Sequence, residues 1–402
     1  MAFRIRFVHH FIFLALIISA CAKGQDSTSS VAQFDTAYAR SVMNKLASAE
    51  FAGRGYGRNG DKNAAEFIHR ELLTSGCKFI ADRPFQEFTF PVNTFPGAMS
   101  VSLCKKELVP GTDYIVHPGS PSVTGDHAVH HTPVNEPGFV YFSEESLDQT
   151  LGKKEMDSLL LLFDDATGII VRKRSKLTWW VSTSVIDKPV IFLSSETDIS
   201  NCYHIELDIT AEHITHKTQN VVGYLEGTED QKQYIVITGH YDHLGMMGEE
   251  TMFKGANDNA SGIGLMLTLA RYYATQGNRL PCPIVFMAFA GEEAGLIGSE
   301  YYVNNPLFPL ADIRFLINLD LMGAGEDGIT VVNGSVHKEE FELLTALNDP
   351  SQYFTFIKSR GKAANSDHYH FSEQGVPSFF IYTLGPRKSY HDVNDVAETV
   401  EF

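Results

Sequence analysis

Two spacings of apolar residues divide this chain. In DTAYARSVMNKLAS and GDKNAAEFIHRELLTSG, apolar positions recur at steps of three and four, which predicts two helices joined by the glycine-rich loop AGRGYGRNG. From about Val101 to His216 the pattern shifts to short β-type runs at 138–142, 158–163 and 189–194, broken by polar, His-containing segments. This stretch reads as an inserted, mostly β subdomain. From Gln219 onward, strand-like runs (NVVGYLEG, YIVITGH, PIVFMAFAG, FLIN, GITVVNG, SFFIYTL) alternate with helical ones such as ASGIGLMLTLARYYATQ. The predicted fold class is α/β: a mixed, largely parallel central sheet between helices, interrupted by the insert. The expected divisions are residues 1–21, 22–34, 35–100, 101–216 and 217–402.

Composition narrows the partners. A chain of 402 residues with 44% hydrophobic and 20% charged residues is an ordinary globular protein. Its formal net charge of −17 argues against a nucleic-acid partner or an anionic membrane surface, since either wants a basic face. Arg4 and Arg6 followed by an apolar stretch from Phe11 to Ala20, too short to span a bilayer comfortably, predict an export signal. Ile18-Ser19-Ala20-Cys21 resembles a bacterial lipobox, so Cys21 is the expected lipidation site and 22–34 a polar tether; plain secretion is the alternative. The expected location is the bacterial cell envelope, with the membrane reached through a lipid anchor only, or else the periplasm or medium. Cys77, Cys104, Cys202 and Cys282 are scattered, with no CxxC pair, which excludes a thiolate zinc site and leaves the disulfide pairing open.

Several predicted elements end in polar residues that ligate metals. The run Tyr234 to Thr238 leads into Gly239-His240-Tyr241-Asp242-His243; a helix opens with Gly255-Ala256-Asn257-Asp258-Asn259. PIVFMAFAG ends in Glu292-Glu293, FLINL in Asp320, and Tyr390-His391-Asp392 follows the last strand. Singly each is an ordinary loop acid, helix cap or satisfied histidine. Five at the rim of one parallel sheet converge, because ligands of open α/β sheets bind beyond the strand ends. Imidazole and carboxylate donors suit zinc at roughly 2.0–2.2 Å, and two zincs about 3.5–4 Å apart share a bridging carboxylate. Asp258 suits that bridge. Asp242, two residues from His240, is expected to receive the second N–H of its imidazole.

GHYDHLG, GANDNASG, GEEAGLIGS, NLDLMG, SDHYHF and YHDVND, in this order, resemble the co-catalytic dizinc aminopeptidase family, which includes glutamate carboxypeptidases and divergent glutaminyl cyclases. The resemblance runs from about Asn220 to Asp395, with LASAEFAGRGYGRNGDKNAAEFI similar to the helical lead-in of bacterial members. It implies two Zn²⁺ per chain: Asp258 bridging, His240 and Asp320 completing one site, Glu293 and His391 the other, and Glu292 as general base. It also implies that Tyr390 donates to a tetrahedral oxyanion and that Asp367 lies near the substrate pocket, with a helix N-cap as the structural alternative. The insert is weakly similar to a protease-associated domain. Relatives of this kind usually carry a further helix beyond the position of His391; here the chain ends at Phe402, which puts in question how firmly His391 is held.

The implied activity is an exported aminopeptidase acting on peptides. A glutaminyl cyclase of the same fold is the first alternative. Such enzymes tend to carry an Asp before GEE, a TDSA-type bridge and Trp before the last His, where this chain has Ala290-Gly291-Glu292, Asn257-Asp258-Asn259 and Tyr390. A binding module that has lost its metals is the second, and the intact ligand set argues against it.

Overall fold

The computed structural model describes residues 34–151, 160–275, 277–350 and 353–400. The expected signal segment, Cys21 and most of the tether lie outside the described residues. Phe34, assigned to the tether, is instead packed in the core at 3% exposure.

The chain folds around a nine-stranded sheet. Its path runs Lys78–Phe79, Glu212–Leu225, Ile284–Phe289, Tyr234–His240, Ile313–Leu319, Ser378–Leu384, Gly328–Val332, Ile357–Ser359, and Phe85–Thr94 pairs alongside Glu212–Leu225. Ile284–Phe289, Tyr234–His240, Ile313–Leu319 and Ser378–Leu384 are mutually parallel; Glu212–Leu225 runs antiparallel to Ile284–Phe289 on one side, and Gly328–Val332 antiparallel to Ser378–Leu384 on the other. All six residues of Ile284–Phe289 are buried, which is why that segment reads as one unbroken apolar run. Alternate residues feed opposite faces: Ile284, Phe286 and Ala288 pack with the helices Thr36–Leu46, Gly60–Thr74 and Gly262–Ala274. Val285, Met287 and Phe289 pack on the other face, where Tyr302 and Phe371 arrive from the helices Ile297–Asn304 and His368–Glu373.

The two leading helices form where the periodicity places them. Thr36–Leu46 buries Ala39, Val42, Met43 and Leu46, and the Asp35 side chain caps it by accepting the Tyr38 N–H at 3.0 Å. The lead-in is not helical throughout, since its later part holds Phe85–Thr94, a ten-residue strand whose pattern of buried and exposed residues alternates. Pro91 is tolerated there because, among the described residues, Phe85–Thr94 pairs as a strand only with Glu212–Leu225.

A second, eight-stranded sheet occupies the insert, from Met99–Leu103 to His204–Ile209, so the long Glu212–Leu225 strand already belongs to the large sheet. Strands at Phe139–Ser143 and Val190–Leu193 coincide with predicted runs. The run at 158–163 does not: Leu160 to Leu162 are helical. A short apolar run has no period long enough to separate a buried helix turn from a strand. Cys104 and Cys202 form a disulfide, while Cys77 and Cys282 are free and buried. The insert core continues through Leu244, Met247 and Phe253 into a hairpin of the main body, Gly245–Met247 with Thr251–Phe253, so the insert is docked against that body.

Candidate active site

Parallel strands deliver the chemistry to one edge. His240 is the last residue of its strand and is in register with Phe289; Asp320 directly follows Ile313–Leu319; Glu292 and Glu293 follow Ile284–Phe289 after a short turn. Asp258 opens the segment leading into Gly262–Ala274, and His391 lies in the loop after Ser378–Leu384.

These side chains meet. The His240 Nε2 stands 3.3 Å from one Asp258 oxygen and 3.3 Å from Asp320 Oδ1. The other Asp258 oxygen is 3.1 Å from His391 Nε2, which is also 3.0 Å from Glu293 Oε2. Asp258 thus stands between the two imidazoles with one oxygen toward each. Glu292 approaches the same centre, within ligand-cluster distance of His240 and Asp320. His240, Asp258, Glu292, Asp320, Tyr390 and His391 all line one cavity of about 220 Å³.

The support behind them is as specific. His240 Nδ1–H donates to the backbone carbonyl of Asp242 at 3.2 Å, while the Asp242 carboxylate is 3.8 Å away. The expected imidazole–carboxylate pair is therefore replaced by an imidazole–carbonyl bond. The Asp242 carboxylate accepts the backbone N–H groups of Glu292 and Glu293 at 3.3 and 3.2 Å and the Tyr56 hydroxyl at 2.5 Å. It fixes the double-glutamate turn. Asp320 is oriented by Ser366, whose hydroxyl donates at 2.9 Å, and Ser366 accepts from Asn318, which accepts from Thr238. Asp395 accepts the N–H groups of Asn257 and Asp258 at 2.8 and 3.0 Å. His243 Nδ1 is 2.7 Å from Glu293 Oε1.

Arg54 is the largest buried polar element behind the centre. Its fully buried guanidinium donates to the carbonyls of Leu46, Tyr241, Lys254, Gly255 and Asp258. Burial lowers its pKa to about 10, opposed by the Asp395 and Asp258 charges, so it stays cationic. The loop that brings it in needs glycine: a Cβ on Gly55 would lie 2.4 Å from the Cα of Gly245.

Asp367 occupies the N-cap position of His368–Glu373 and lies close enough to the centre to feel the charges of His240, Asp242 and Asp320. Its side chain makes no capping hydrogen bond to the helix that follows, and it is not among the residues lining the cavity. It is a wholly buried carboxyl pushed up to about 7 by burial, with Asp242 and Asp320 adding repulsion. Tyr390 does line the cavity, and its ring stacks on His391 with centroids 3.9 Å apart. Arg360 lines the cavity too, beside Asn365, Phe380 and Tyr382.

Electrostatics says what the centre wants. Burial pushes the Glu292 carboxyl well above its usual range, and Glu293, Asp320 and Asp367 push it further against the pull of His240. Burial disfavours the charged forms of both histidines, yet the carboxylates around them prevail: His240 lies well above its ordinary value and His391 at about 11. Burial likewise opposes ionisation of Asp258 and Glu293, yet the imidazoles hold Asp258 well below its usual value and Glu293 at about 2. Two imidazolium charges thus offset several converging carboxylates. A cation that displaces those protons must bring comparable charge, as a divalent ion does. Donors about 2.0–2.1 Å from one tetrahedral ion stand about 3.3–3.4 Å from each other. The 3.0–3.3 Å spacings here fit such an ion with small adjustment.

Fold and site define a class: an α/β protein with a carboxylate–imidazole centre for divalent metal at the rim of its sheet. Residues 220–401 match Peptidase family M28, and the chain carries a domain of that family. A "Probable zinc metalloprotease" of Pyricularia oryzae is 39% identical over 110 residues, which cover 27% of this chain and 22% of that protein. Whole-chain likeness is structural: a zinc aminopeptidase from Bacillus subtilis superposes with a TM-score of 0.67 at 19% identity, over 92% of this chain and 91% of that one. The glutaminyl cyclase of Porphyromonas gingivalis has a TM-score of 0.51 at 13% identity, over 92% of each chain. These structural likenesses establish the shared fold.

Proposed function

We propose that the protein is an exported zinc aminopeptidase that removes N-terminal residues from peptides at a two-metal centre. The observation that carries this reading is Asp258, with one oxygen toward each histidine and Glu292 beside it in the cavity. His240, Asp258 and Asp320 would hold one zinc, and Asp258, Glu293 and His391 the other. Zinc bound there supplies Lewis acidity and makes water a competent nucleophile near neutral pH.

The remaining work falls to the protein. Glu292 takes the proton of the attacking water and passes it to the amine nitrogen as the C–N bond breaks. Its carboxyl, raised while the centre lacks added positive charge, ionises more readily beside bound cations. The Tyr390 hydroxyl, whose pKa is raised by burial and the nearby carboxylates, stays protonated and can donate to the developing oxyanion. A carboxylate-rich cavity suits a free α-ammonium group. The Cys104–Cys202 disulfide supports export, because such bonds persist in oxidising compartments. Anchoring through Cys21 belongs to the same proposal, and among the described residues no helix is long and apolar enough to cross a membrane.

Arg360 favours a second reading. It is a cavity-lining guanidinium with no carboxylate partner among the described residues, so it can receive a substrate carboxylate. Aminoacyl p-nitroanilides, their N-acetylated forms, and peptides with free or amidated C-termini separate the two. The aminopeptidase reading expects hydrolysis that is largely lost on N-acetylation and indifferent to C-terminal amidation. A requirement for a free carboxylate would establish the second reading, and release of cyclised N-terminal glutamine without hydrolysis would establish a cyclase.

A further inference from the structure

The loop bearing His391 has little scaffold of its own. From Gly385 to Asp395 no residue belongs to a helix or strand, and His391 takes a left-handed backbone conformation with φ 54°. Yet His391 must meet Asp258 and Glu293 within a few tenths of an ångström. Asp395 ties the end of the loop to Ala256, Asn257 and Asp258 of the main body, but the bonds that flank His391 itself come from the insert. The Trp179 backbone N–H donates to the His391 carbonyl at 2.8 Å. Three residues earlier, the Lys176 ammonium donates to the carbonyls of Lys388 and Tyr390 at 2.6 and 2.9 Å and to the Asp392 carboxylate at 2.5 Å. These contacts bracket the histidine on both sides.

The strap is itself anchored in the insert. The Trp179 indole is buried, donates to the Val116 carbonyl at 2.8 Å and stacks on Phe253 with centroids 4.7 Å apart. Phe253 belongs to the hairpin through which the insert core continues into the main body. A mechanical path therefore runs from the insert core through Trp179 and Lys176 to the backbone around His391. The other ligands have no such dependence: His240 and Asp320 lie at or just beyond strand ends, Asp258 leads into a helix, and the turn bearing Glu293 is pinned by the Asp242 carboxylate.

We propose that Lys176 is a positioning residue and that the insert completes the active site by fixing the His391 loop. This rests on His391 serving as a ligand of the second zinc, as in the reading above. Loss of a group that orients a ligand typically costs 10–100-fold in metal affinity or activity. Lys176 is partly exposed, so Lys176→Met removes the ammonium with little risk to folding.

The test uses the full chain. Hydrogen–deuterium exchange of metal-free wild type and Lys176→Met is followed by mass spectrometry, and zinc affinity is measured by competition with a chromogenic chelator. Expected in Lys176→Met are faster exchange confined to residues 386–395, a second zinc equivalent weakened about 10-fold or more, and a lower kcat with KM little changed. Lys176→Arg, which keeps a cation able to donate to both carbonyls, should recover most of each effect. Unchanged exchange across 386–395 in Lys176→Met overturns the positioning role, whatever the activity. Wild type that takes up only one zinc while Lys176→Met still loosens the loop would refute the two-metal reading and leave the strap in place.

Discussion

The two sides of the metal centre are built differently. His240 and Asp320 sit at or just beyond the ends of adjacent parallel strands, and Ser366 and the Asp242 carbonyl orient them through short hydrogen bonds. His391 stands in an irregular loop whose backbone is held by an insert more than 200 residues earlier in the chain. A strand end is fixed by the whole sheet, whereas a loop is only as rigid as the few bonds that bind it. Glu292 and Glu293 fall between the extremes: they lie on a turn after a buried strand, and the buried Asp242 carboxylate pins both of their N–H groups.

Changing the glutamate turn that lies between the two sides should have the largest effect. Glu292→Gln keeps the shape and the N–H bonded to Asp242 but cannot accept a proton. It should retain near-normal zinc and lose more than about 10²-fold in kcat. Glu293→Gln should lose zinc as well, because it removes the carboxylate that the reading makes a ligand beside His391. Zinc content by elemental analysis beside steady-state kinetics checks both, and equal behaviour of the two variants would remove the division of labour.

Arg54→Met comes next. It would leave five backbone carbonyls without their donor in the interior, and hydrogen bonds to charged groups are worth about 1.5–3 kcal/mol each. Loss of more than about 3 kcal/mol from the urea unfolding free energy is expected. A smaller effect would mean that water takes over the carbonyls.

The convergence of His240, Asp320 and the Glu292–Glu293 pair was legible because each is a polar residue at or just beyond the end of an apolar run, and position along a parallel strand translates into position along one sheet edge. Asp258 at a helix start and His391 in a loop stood out chiefly through the motifs that carry them. Arg54 and Tyr56 were not legible. Their partners are carbonyls and a carboxylate 186 residues or more away along the chain, apart from Leu46, and nothing local in AGRGYG marks either as buried. The role of Lys176 was hidden for the same reason, since it reads as one cation in a solvated KRSK stretch. Asp242 was legible as a participant but not in its contacts: its backbone serves His240 while its side chain serves the glutamate turn. The Phe85–Thr94 strand escaped because an edge strand carrying proline lacks the apolar density of the central ones.

The smallest expected effect lies behind the cavity. His368 is 1% exposed, and burial lowers its imidazole pKa from 6.5 to about 4, with Arg360 adding repulsion. Its folded-state pKa is depressed, so the unfolded chain binds the extra proton first. The stability it contributes is complete above pH 6.5 and is lost as pH falls toward 4, by at most about 3 kcal/mol. Urea unfolding of metal-free wild type and His368→Phe at pH 7 and pH 5 checks the sign: the wild type should lose more stability on acidification than the variant.

The central claim is that a rigid sheet edge and an insert-held loop together form one two-metal centre. Zinc counted by elemental analysis in loaded, desalted full-length protein tests it most directly. The account predicts two zincs per chain in the wild type, one in His391→Ala with the His240 and Asp320 side intact, and markedly less than one in Asp258→Ala. A single zinc in the wild type, unaffected by His391→Ala, would contradict it.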